Sequence, residues 1–283
     1  MTNTIREFIK ANGITQAMLA RSIGVSSAQI STYLKGEYRG DVAGLEAKLR
    51  DFMNNYRVRD EVGELKTVVT KDMQMVHFTI TEAIIGRDLS VVYGEAGCGK
   101  TTAVKEFVKS NPTSVFIEAI PGMSITSVLN EICSEIGITS SKNSESMIRA
   151  IAKEFSRREA VLIIDEAENL TTKTLEAIRR IWDFSGVPTV LVGTHALINN
   201  LKGRNGELLQ LYSRVSGVWK FRGLGEEDLK ALFGDVWEHI AKVTTHLRRA
   251  CNIYKKAVRF ARLRDESVNA SHIQQASSMM ILG

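Results

Sequence analysis

The segment Gly94-Glu-Ala-Gly-Cys-Gly-Lys-Thr101 constrains the fold of this 283-residue chain more than any other. It matches the pattern Gly-x-x-x-x-Gly-Lys-Ser/Thr at every fixed position, and the apolar run Leu89–Tyr93 precedes it. In such a loop, backbone N–H groups surround phosphate oxygens at the start of a helix, here expected over Thr101–Lys109. The segment therefore predicts a strand, a phosphate-binding loop and a helix, the core of an α/β nucleotide-binding fold.

The loop also predicts the cofactors, which are ATP and Mg²⁺. Lys100 is expected to reach the β- and γ-phosphates, and the Thr101 hydroxyl to ligate Mg²⁺. A helix N-terminus can lower the pKa of the Cys98 thiol, but we expect this side chain to fill space. The expected nucleotide-binding residues are Gly94, Glu95, Ala96, Gly97, Cys98, Gly99, Lys100, Thr101 and Thr102.

A second element, Val161-Leu-Ile-Ile-Asp165-Glu166, predicts a buried strand with two acids at its carboxyl end. Asp165 is expected to hold Mg²⁺ through water, and Glu166 to polarise the attacking water. The adjacent acids favour ATP hydrolysis over ATP binding alone. The alternative is a strand that ends in acids on the protein surface.

Two further elements predict residues that assist hydrolysis. The buried run Thr189–Val192 leads to Thr194 and His195, where a polar side chain can touch the γ-phosphate or the water; Thr194 is the first candidate. Arg214, in Tyr-Ser-Arg-Val, is a candidate arginine finger for the nucleotide of a neighbouring subunit. Arg204 is the rival, and a solvated surface arginine is the alternative.

The order of apolar runs predicts an α/β centre between two helical ends. The expected strands are Leu89–Tyr93, Ser114–Ile120, Ala160–Ile164, Thr189–Val192 and Gly217–Phe221, and helical patterns separate most of them, which favours a parallel sheet with covered faces. We expect a helix-turn-helix domain over 1–55, a linker over 56–70, an ATPase core over 71–222 and a helical lid over 223–283.

Residues 15–34 have the spacing of a helix-turn-helix. Ala20 is small where a second helix crosses, Gly24 suits a turn with positive φ, and Ser26 is a natural N-cap. The second helix would enter a DNA major groove, although it lacks the arginines that most often read guanine. We expect weak or non-specific DNA binding, with a protein-contact module as the alternative. The contact candidates are Ser27, Gln29, Thr32 and Lys35.

The four central elements, with a helical tail, resemble those of AAA+ ATPases. With the helical head in front, and with the segments "IIDEAE", "VLVGTH" and "YSRV", the chain resembles the MuB-like AAA+ ATPases that activate target DNA in phage Mu-type transposition. This resemblance implies ATP-dependent helical filaments on double-stranded DNA with little sequence preference. It also implies delivery of target DNA to a MuA-like DDE transposase, which stimulates ATP hydrolysis.

The resemblance has one departure and one open choice. The family often has asparagine where Thr194 stands. In the tail, Thr245-His-Leu-Arg248-Arg249 resembles the segment of the lid arginine that contacts the γ-phosphate; we assign that role to Arg248, with Arg249 as the alternative.

Basic residues outside the head predict further DNA contacts. From Lys242 to Arg264 the chain has eight basic residues and no acid, and Lys255, Arg259 and Arg262 would share one helix face that binds DNA or the transposase. A second stripe, Arg149, Lys153 and Arg157, has the spacing i, i+4, i+8. The loop Pro121–Thr126 is a further candidate for gripping the DNA backbone. A solvated helix face is the alternative for both stripes.

Composition excludes some classes of protein. The net charge of +5 lies at the two ends of the chain, and no run of eighteen apolar residues could span a membrane. The first residues lack the apolar core of a signal peptide, so we do not expect secretion. The three cysteines form no close pair, which fits the cytoplasm of a host cell. The length excludes a translocating helicase with two motor cores. A helicase loader or replication initiator, and an ATP-sensing transcription regulator, remain alternatives.

Overall fold

The structure of the chain, a computed structural model, describes residues 2–60, 65, 67–141, 143–202 and 209–280. The side chains of 55–60 and 209 lie outside this description. The chain divides into two units, Met1–Leu65 and Lys66–Gly283, and each is described by itself.

The N-terminal unit consists of four helices: α1 (Thr2–Ala11), α2 (Gln16–Ile23), α3 (Ser27–Lys35) and α4 (Val42–Asp60). Thr15 caps α2, and Ser26 begins α3 in a reciprocal capping box with Gln29. Gly24 ends α2 with φ +68°, a conformation that suits glycine. The turn between α2 and α3 therefore follows directly from the spacing of these residues.

The core of this unit is the apolar face that the sequence predicts. Ala20 and Ile30 are buried where α2 and α3 cross. The Tyr33 hydroxyl donates to Glu46 over 2.7 Å and ties α3 to α4; burial and this carboxylate raise the pKa of Tyr33 to about 12. Helix α4 continues to Asp60, so residues 56–60 of the predicted linker are helical.

The second unit contains one five-stranded sheet. Its strands are β1 (Leu89–Tyr93), β2 (Ser114–Glu118), β3 (Val161–Asp165), β4 (Thr189–Gly193) and β5 (Val215–Lys220), in the order β2-β3-β4-β1-β5. Every neighbouring pair is parallel, so all the carboxyl ends lie along one edge. All five predicted strands are present; β5 begins two residues earlier than predicted and ends one earlier.

Helices cover both faces of the sheet, because strands that are apolar on both sides must be buried on both sides. They are α5 (Lys71–Gly86), α6 (Lys100–Ser110), α7 (Ile125–Ile136), α8 (Ser144–Phe155), α9 (Thr172–Ser185), α10 (His195–Lys202) and α11 (Leu209–Tyr212). One apolar cluster joins β1 to α7, α8 and α9, and another joins the sheet to α5 and α6. This arrangement is the predicted α/β core with flanking helices.

Four helices form the C-terminal lid: α12 (Glu226–Phe233), α13 (Trp237–Ala241), α14 (Leu247–Leu263) and α15 (Ala270–Ser278). The buried Asp72, at the start of α5, accepts hydrogen bonds from the indole of Trp219 and from the backbone N–H groups of Arg222 and Gly223. These bonds fix the chain where the sheet ends and the lid begins. No helix in the described ranges is long and apolar enough to cross a membrane.

Candidate functional site

The phosphate-binding loop connects β1 to α6 at the carboxyl edge of the sheet. Gly97 and Gly99 have φ +83° and +107°, which the curled loop requires. The Lys100 ammonium group is buried and donates to the carbonyl oxygens of Gly94 (3.1 Å) and Glu95 (2.9 Å). The loop therefore holds its lysine inside the curve where phosphate oxygens would lie, while the Thr102 side chain is exposed.

Thr101 and Asp165, the two predicted Mg²⁺ ligands, are in direct contact. The Thr101 hydroxyl donates to the Asp165 carboxylate over 2.6 Å, and the Glu166 N–H donates to the other carboxylate oxygen over 2.9 Å. Asp165 is fully buried, and this burial raises the pKa of its carboxyl group, against the two hydrogen bonds, which lower it. Keeping this buried carboxylate charged therefore costs free energy, and a nearby cation would offset that cost.

Glu166 occupies a strained position directly after β3. Its φ of +53° is left-handed, which costs a non-glycine residue about 1–3 kcal/mol and occurs mainly at functional sites. Partial burial raises the pKa of its carboxyl group, and the carboxylates of Glu168 and Asp165 raise it further. A carboxylate with a raised pKa is a better general base for water.

Glu168 is a site residue for which the sequence analysis proposed no role. Its carboxylate accepts the Thr194 N–H over 3.0 Å, and its other carboxylate oxygen is buried beside Gly193 without a hydrogen-bond partner among the described residues. Glu168 thereby joins the end of β3 to the end of β4. The sequence feature that could have predicted this role is the third acid of the segment Asp165-Glu-Ala-Glu168.

Thr194 lies at this same edge, between the loop and Asp165, because β4 lies between β1 and β3. Its hydroxyl accepts the Ala196 N–H over 3.3 Å at the start of α10. His195 is exposed and meets the Tyr93 ring edge-on at 5.2 Å. Of the two candidates, Thr194 is therefore the one that is bonded, through its backbone N–H, to an acid that follows β3.

The first turn of α14 packs directly on the phosphate-binding loop. The Arg248 N–H donates to the Gly97 carbonyl over 3.1 Å, and a Cβ added to Gly97 would lie 2.8–3.0 Å from Arg248 side-chain atoms. His246, to which the sequence analysis gave no role, caps α14, and its Nε2 lies 2.8 Å from the Ala96 carbonyl. The sequence feature that could have predicted this contact is the position of His246 two residues before the candidate lid arginine, Arg248.

Cys98 packs inside the loop beside Gly94 and Phe221. Burial raises the pKa of its thiol, so the lowered pKa that a helix N-terminus can produce is not found here. The space-filling interpretation agrees with this environment.

Arg214 lies at the amino ends of the strands, whereas the loop lies at their carboxyl ends. It directly precedes β5, whose first residue pairs with Leu89 at the start of β1, so a strand length of about 15 Å separates Arg214 from the loop of the same chain. Its Nε is 3.1 Å from an Asp183 carboxylate oxygen, and its guanidinium lies 5.4 Å from the centroid of the Trp182 ring. The rival candidate, Arg204, lies outside the described residues.

The candidate DNA-contact residues lie on three helices, except for Arg157, which follows the end of α8. On α3, Ser27 and Lys35 are exposed, while Thr32 is half-buried and its hydroxyl bonds to backbone carbonyls of its own helix. The Gln29 side chain accepts the Ser26 N–H over 2.9 Å, so the residue that we expected to read bases also caps its own helix.

The two basic stripes differ in their partners. On α8, Arg149 pairs with Glu145 and stacks on Phe184, whereas Lys153 forms no ion pair within the described part of the chain. Arg157 also forms none there, but it lies beyond the end of α8 at Phe155, so the predicted stripe of three does not lie on one helix. On α14, none of Lys255, Arg259 and Arg262 forms an ion pair with any described residue. All three members of the α14 stripe therefore lack a described acidic partner, against two of the three in the other stripe.

The donor set at the loop fits Mg²⁺. A hydroxyl and a carboxylate are oxygen ligands of the kind that Mg²⁺ takes, with substrate phosphates and water completing its shell. Within the described ranges, no group of three or more His, Cys, Asp or Glu residues could hold a metal ion.

Comparisons with known proteins agree with both units. A family model described as an AAA domain matches residues 84–201, and one described as a helix-turn-helix matches residues 5–40. The chain is similar in structure to ORC2 of Aeropyrum pernix in its ADP form, with a TM-score of 0.57 and 15% identity over 78% of this chain and 72% of that one. This structural likeness supports the fold alone.

Two curated relatives match most of the chain. The DNA transposition protein B of the Mu-like prophage FluMu in Haemophilus influenzae is 33% identical over 82% of this chain and 83% of its own length. The ATP-dependent target DNA activator B of Escherichia phage Mu is 25% identical over 96% of this chain and 92% of its own.

The fold and the site together define an AAA+ ATPase that carries a helix-turn-helix DNA-binding domain. Within that class, the chain belongs to the family of phage Mu-type DNA transposition B proteins.

Proposed function

We propose that this chain is an ATP-dependent target-DNA activator: it assembles on double-stranded DNA with little sequence preference and delivers that DNA to a DDE-type transposase. The observation that carries the proposal is the bond between Thr101 and Asp165, beside the strained Glu166, in a chain that also carries a helix-turn-helix. The name of the phage Mu relative, which matches nearly the whole chain, supports the same function.

Each residue of the site has a proposed task in ATP hydrolysis. Lys100 binds the β- and γ-phosphates, and Thr101 and Asp165 hold Mg²⁺ against them. Glu166 accepts a proton from the attacking water, and Thr194, fixed by Glu168, orients that water or the γ-phosphate. When bound, Mg²⁺ neutralises the charge that develops on the phosphate oxygens.

The lid and the neighbouring subunit complete the proposed site. Arg248 reaches the γ-phosphate from α14, because its backbone and side chain already lie on Gly97. Arg214 lies too far from the loop of its own chain to contact ATP bound there, so it contacts the ATP that is bound to a second copy. Hydrolysis is then linked to assembly, and loss of the γ-phosphate releases the DNA-bound oligomer.

We propose two DNA-binding surfaces, one in each unit. The first is the exposed side of α3, with Ser27, Lys35 and the half-buried Gln29 and Thr32. The second is the basic face of α14, with Lys255 and Arg259, whose charges have no described carboxylate partner. Lys153 on α8 and Arg157, which follows the end of that helix, are a smaller source of phosphate contacts.

The test is binding to random-sequence duplex DNA with ATP, with ADP and without nucleotide, followed by fluorescence anisotropy and particle sizing. We expect tight binding and large assemblies with ATP only, and a steep loss of affinity with added salt. Tight binding to one sequence, indifferent to nucleotide and without assembly, would instead establish a site-specific regulator. DNA-stimulated ATPase that responds to a replicative helicase and not to a transposase would establish a helicase loader.

The α14 surface can be tested in the same assay. Reversing one charge of this face, in Arg259→Glu, should lower DNA affinity and reduce the salt slope by about one for the lost phosphate contact. The matched control is Arg149→Glu, because Arg149 already pairs with Glu145. Equal losses in both variants would show that net charge, and not the α14 face, controls binding.

A further inference from the structure

Arg214 is held in its own chain by two side chains of α9. Its Nε lies 3.1 Å from one oxygen of Asp183, and its guanidinium plane lies 5.4 Å from the Trp182 ring centroid, within reach of a cation–π interaction. The Trp182 indole is itself fixed, because its N–H donates to the Arg87 carbonyl over 3.0 Å. Both α9 contacts therefore restrict the same guanidinium.

Asp183 is also held by a second arginine of its own helix, α9. Its second oxygen contacts the buried guanidinium of Arg179, which in turn pairs with Glu176. A carboxylate that is anchored by a buried arginine has little freedom to turn away from Arg214. The Asp183 side chain is 18% exposed, whereas that of Arg214 is 41% exposed, so the guanidinium is the more exposed member of this pair.

The charges of this cluster do not balance. Ion pairs join three arginines, Arg179, Arg180 and Arg214, to two acids, Glu176 and Asp183. One positive charge is left over, and the two exposed end arginines, Arg180 and Arg214, each share a carboxylate with the buried Arg179. The cluster therefore has the charge to take one additional anion, and Arg214 is one of the two exposed guanidinium groups that can meet it.

The bonding pattern leaves the anion-binding part of Arg214 available. A guanidinium has five N–H donors, and the pair with Asp183 uses the Nε side. The two terminal nitrogens form the fork that binds phosphate oxygens, and the close contact with Asp183 is made by Nε and by neither of them. Arg214 lies about a strand length from the loop of its own chain, so such a phosphate must belong to another copy.

We infer that Asp183 is a positioning residue that orients the Arg214 guanidinium toward the γ-phosphate of ATP bound to a second copy of this chain. This inference rests on the proposed role of Arg214 as an arginine finger. Asp183 touches no nucleotide; it limits the rotation of Arg214 before the subunits meet, so that less ordering remains to be done when the joint site forms.

A subunit-mixing experiment tests the inference. Acceptor subunits carry Arg214→Ala and keep an intact ATP site; donor subunits carry Glu166→Gln and keep Arg214. Turnover in the DNA-bound mixture then comes from acceptor sites that receive Arg214 from a donor. Adding Asp183→Ala to the donor should lower the restored kcat about tenfold or more with KM little changed, since misplacement of a catalytic group by 1 Å can cost about 10²-fold. Asp183→Asn, which keeps an acceptor oxygen for Nε, should restore an intermediate rate.

The matched control is Glu176→Ala in the donor. This change removes a partner of the buried Arg179, as Asp183→Ala does, but leaves the contacts of Arg214 in place. We expect normal restoration with this donor. If Glu176→Ala and Asp183→Ala donors lose the same fraction of activity, α9 as a whole is responsible and the inference is wrong. Thermal unfolding and ATP-dependent assembly of each donor, measured alone, identify any loss that comes from misfolding.

Two failures can be told apart. If Arg214→Ala and Glu166→Gln subunits restore no turnover with Asp183 intact, Arg214 is not supplied between subunits and the inference is overturned together with that part of the proposed function. If turnover is restored and the Asp183→Ala donor restores it equally well, Arg214 acts between subunits without help from Asp183, and only the inference is overturned.

Discussion

Thr101 donates its hydroxyl hydrogen to Asp165 over 2.6 Å, and this bond connects the end of the phosphate-binding loop to the end of β3. The two residues are 64 positions apart in the chain. They meet because β3 and β1 are parallel and only β4 lies between them. The contact places both oxygen ligands of the proposed Mg²⁺ site together without any residue of the lid or of a second subunit.

The burial of Asp165 predicts a conflict between stability and function. Its pKa is raised above the ordinary value of 3.8, so folding favours the protonated form. The stability that protonation contributes is fully present at pH values below 3.8 and is lost as the pH rises through the raised pKa. We expect Asp165→Asn without nucleotide to be more stable than the parent at pH 7, by about 2–4 °C per kcal/mol gained, and to have no measurable ATPase.

Thermal unfolding of both proteins between pH 4 and pH 8 checks this expectation. The advantage of Asp165→Asn should shrink toward acid pH, where the parent carboxyl group is protonated. It should also shrink at pH 7 when ATP and Mg²⁺ are added, because a bound cation stabilises the parent carboxylate. Equal stability at pH 7, or an advantage that grows in acid, would contradict the assignment of a desolvated Asp165.

Glu166→Gln is predicted to separate ATP binding from ATP hydrolysis. The substitution keeps the size of the side chain and removes the base, so phosphate release should fall about 10²-fold or more while nucleotide affinity changes little. The variant should then remain on DNA in the presence of ATP. Phosphate release, titration with a fluorescent ATP analogue and DNA dissociation kinetics measure the three quantities.

Glu168→Gln is the control for Glu166→Gln, since it removes the same charge two residues away. The amide oxygen can still accept the Thr194 N–H, so we expect a smaller loss of turnover than for Glu166. Similar losses in both variants would attribute the effect to the negative potential of the site and not to a base at Glu166.

The phosphate-binding loop, the five strands and the α2–α3 turn could be predicted from the sequence because each depends on short-range rules. Gly24, Ser26 and the fixed glycines of the loop act on their own backbone, and buried parallel strands are apolar along their whole length. The pairing of Thr101 with Asp165 followed from motifs whose order along parallel strands fixes their position in space.

The contacts of Glu168, His246 and Asp183 depend on tertiary packing and could not be predicted in this way. Glu168 meets the Thr194 N–H only because β3 and β4 are neighbours, and His246 meets Ala96 only because α14 folds back on the loop. Helix α4 extends past residue 55 to Asp60 although its sequence is charged and weakly periodic, so composition alone did not predict where this helix ends.

The contact between the lid and the loop predicts that Gly97→Ala impairs nucleotide binding. At φ +83° an alanine costs about 1 kcal/mol or more in backbone strain, and its Cβ would also lie 2.8 Å from Arg248 Nε and 2.9 Å from Arg248 Cβ. We expect the lid to shift from the loop and ATP affinity to fall about tenfold. Titration with a fluorescent ATP analogue measures the loss.

Gly137→Ala controls for the backbone strain in Gly97→Ala. Gly137 has φ +73°, and a Cβ added there would meet nothing within 4 Å. This variant should lose similar stability but keep its ATP affinity. A matching loss of ATP affinity in both variants would show that strain alone is responsible and that the Arg248 contact is unimportant.

The capping role of Gln29 predicts which substitution can reveal a DNA contact on α3. Alanine would remove the side-chain bond to the Ser26 N–H, so a loss of DNA affinity would be confounded by a loss of stability. Glutamate serves as well as glutamine in a capping box and adds one negative charge. For Gln29→Glu in the full chain with ATP, we expect unchanged thermal stability and about a tenfold loss of duplex affinity at low salt. Asn54→Asp adds a charge of the same sign at an exposed position of α4 and should change affinity much less, so equal losses in the two variants would remove α3 from the proposed DNA surface.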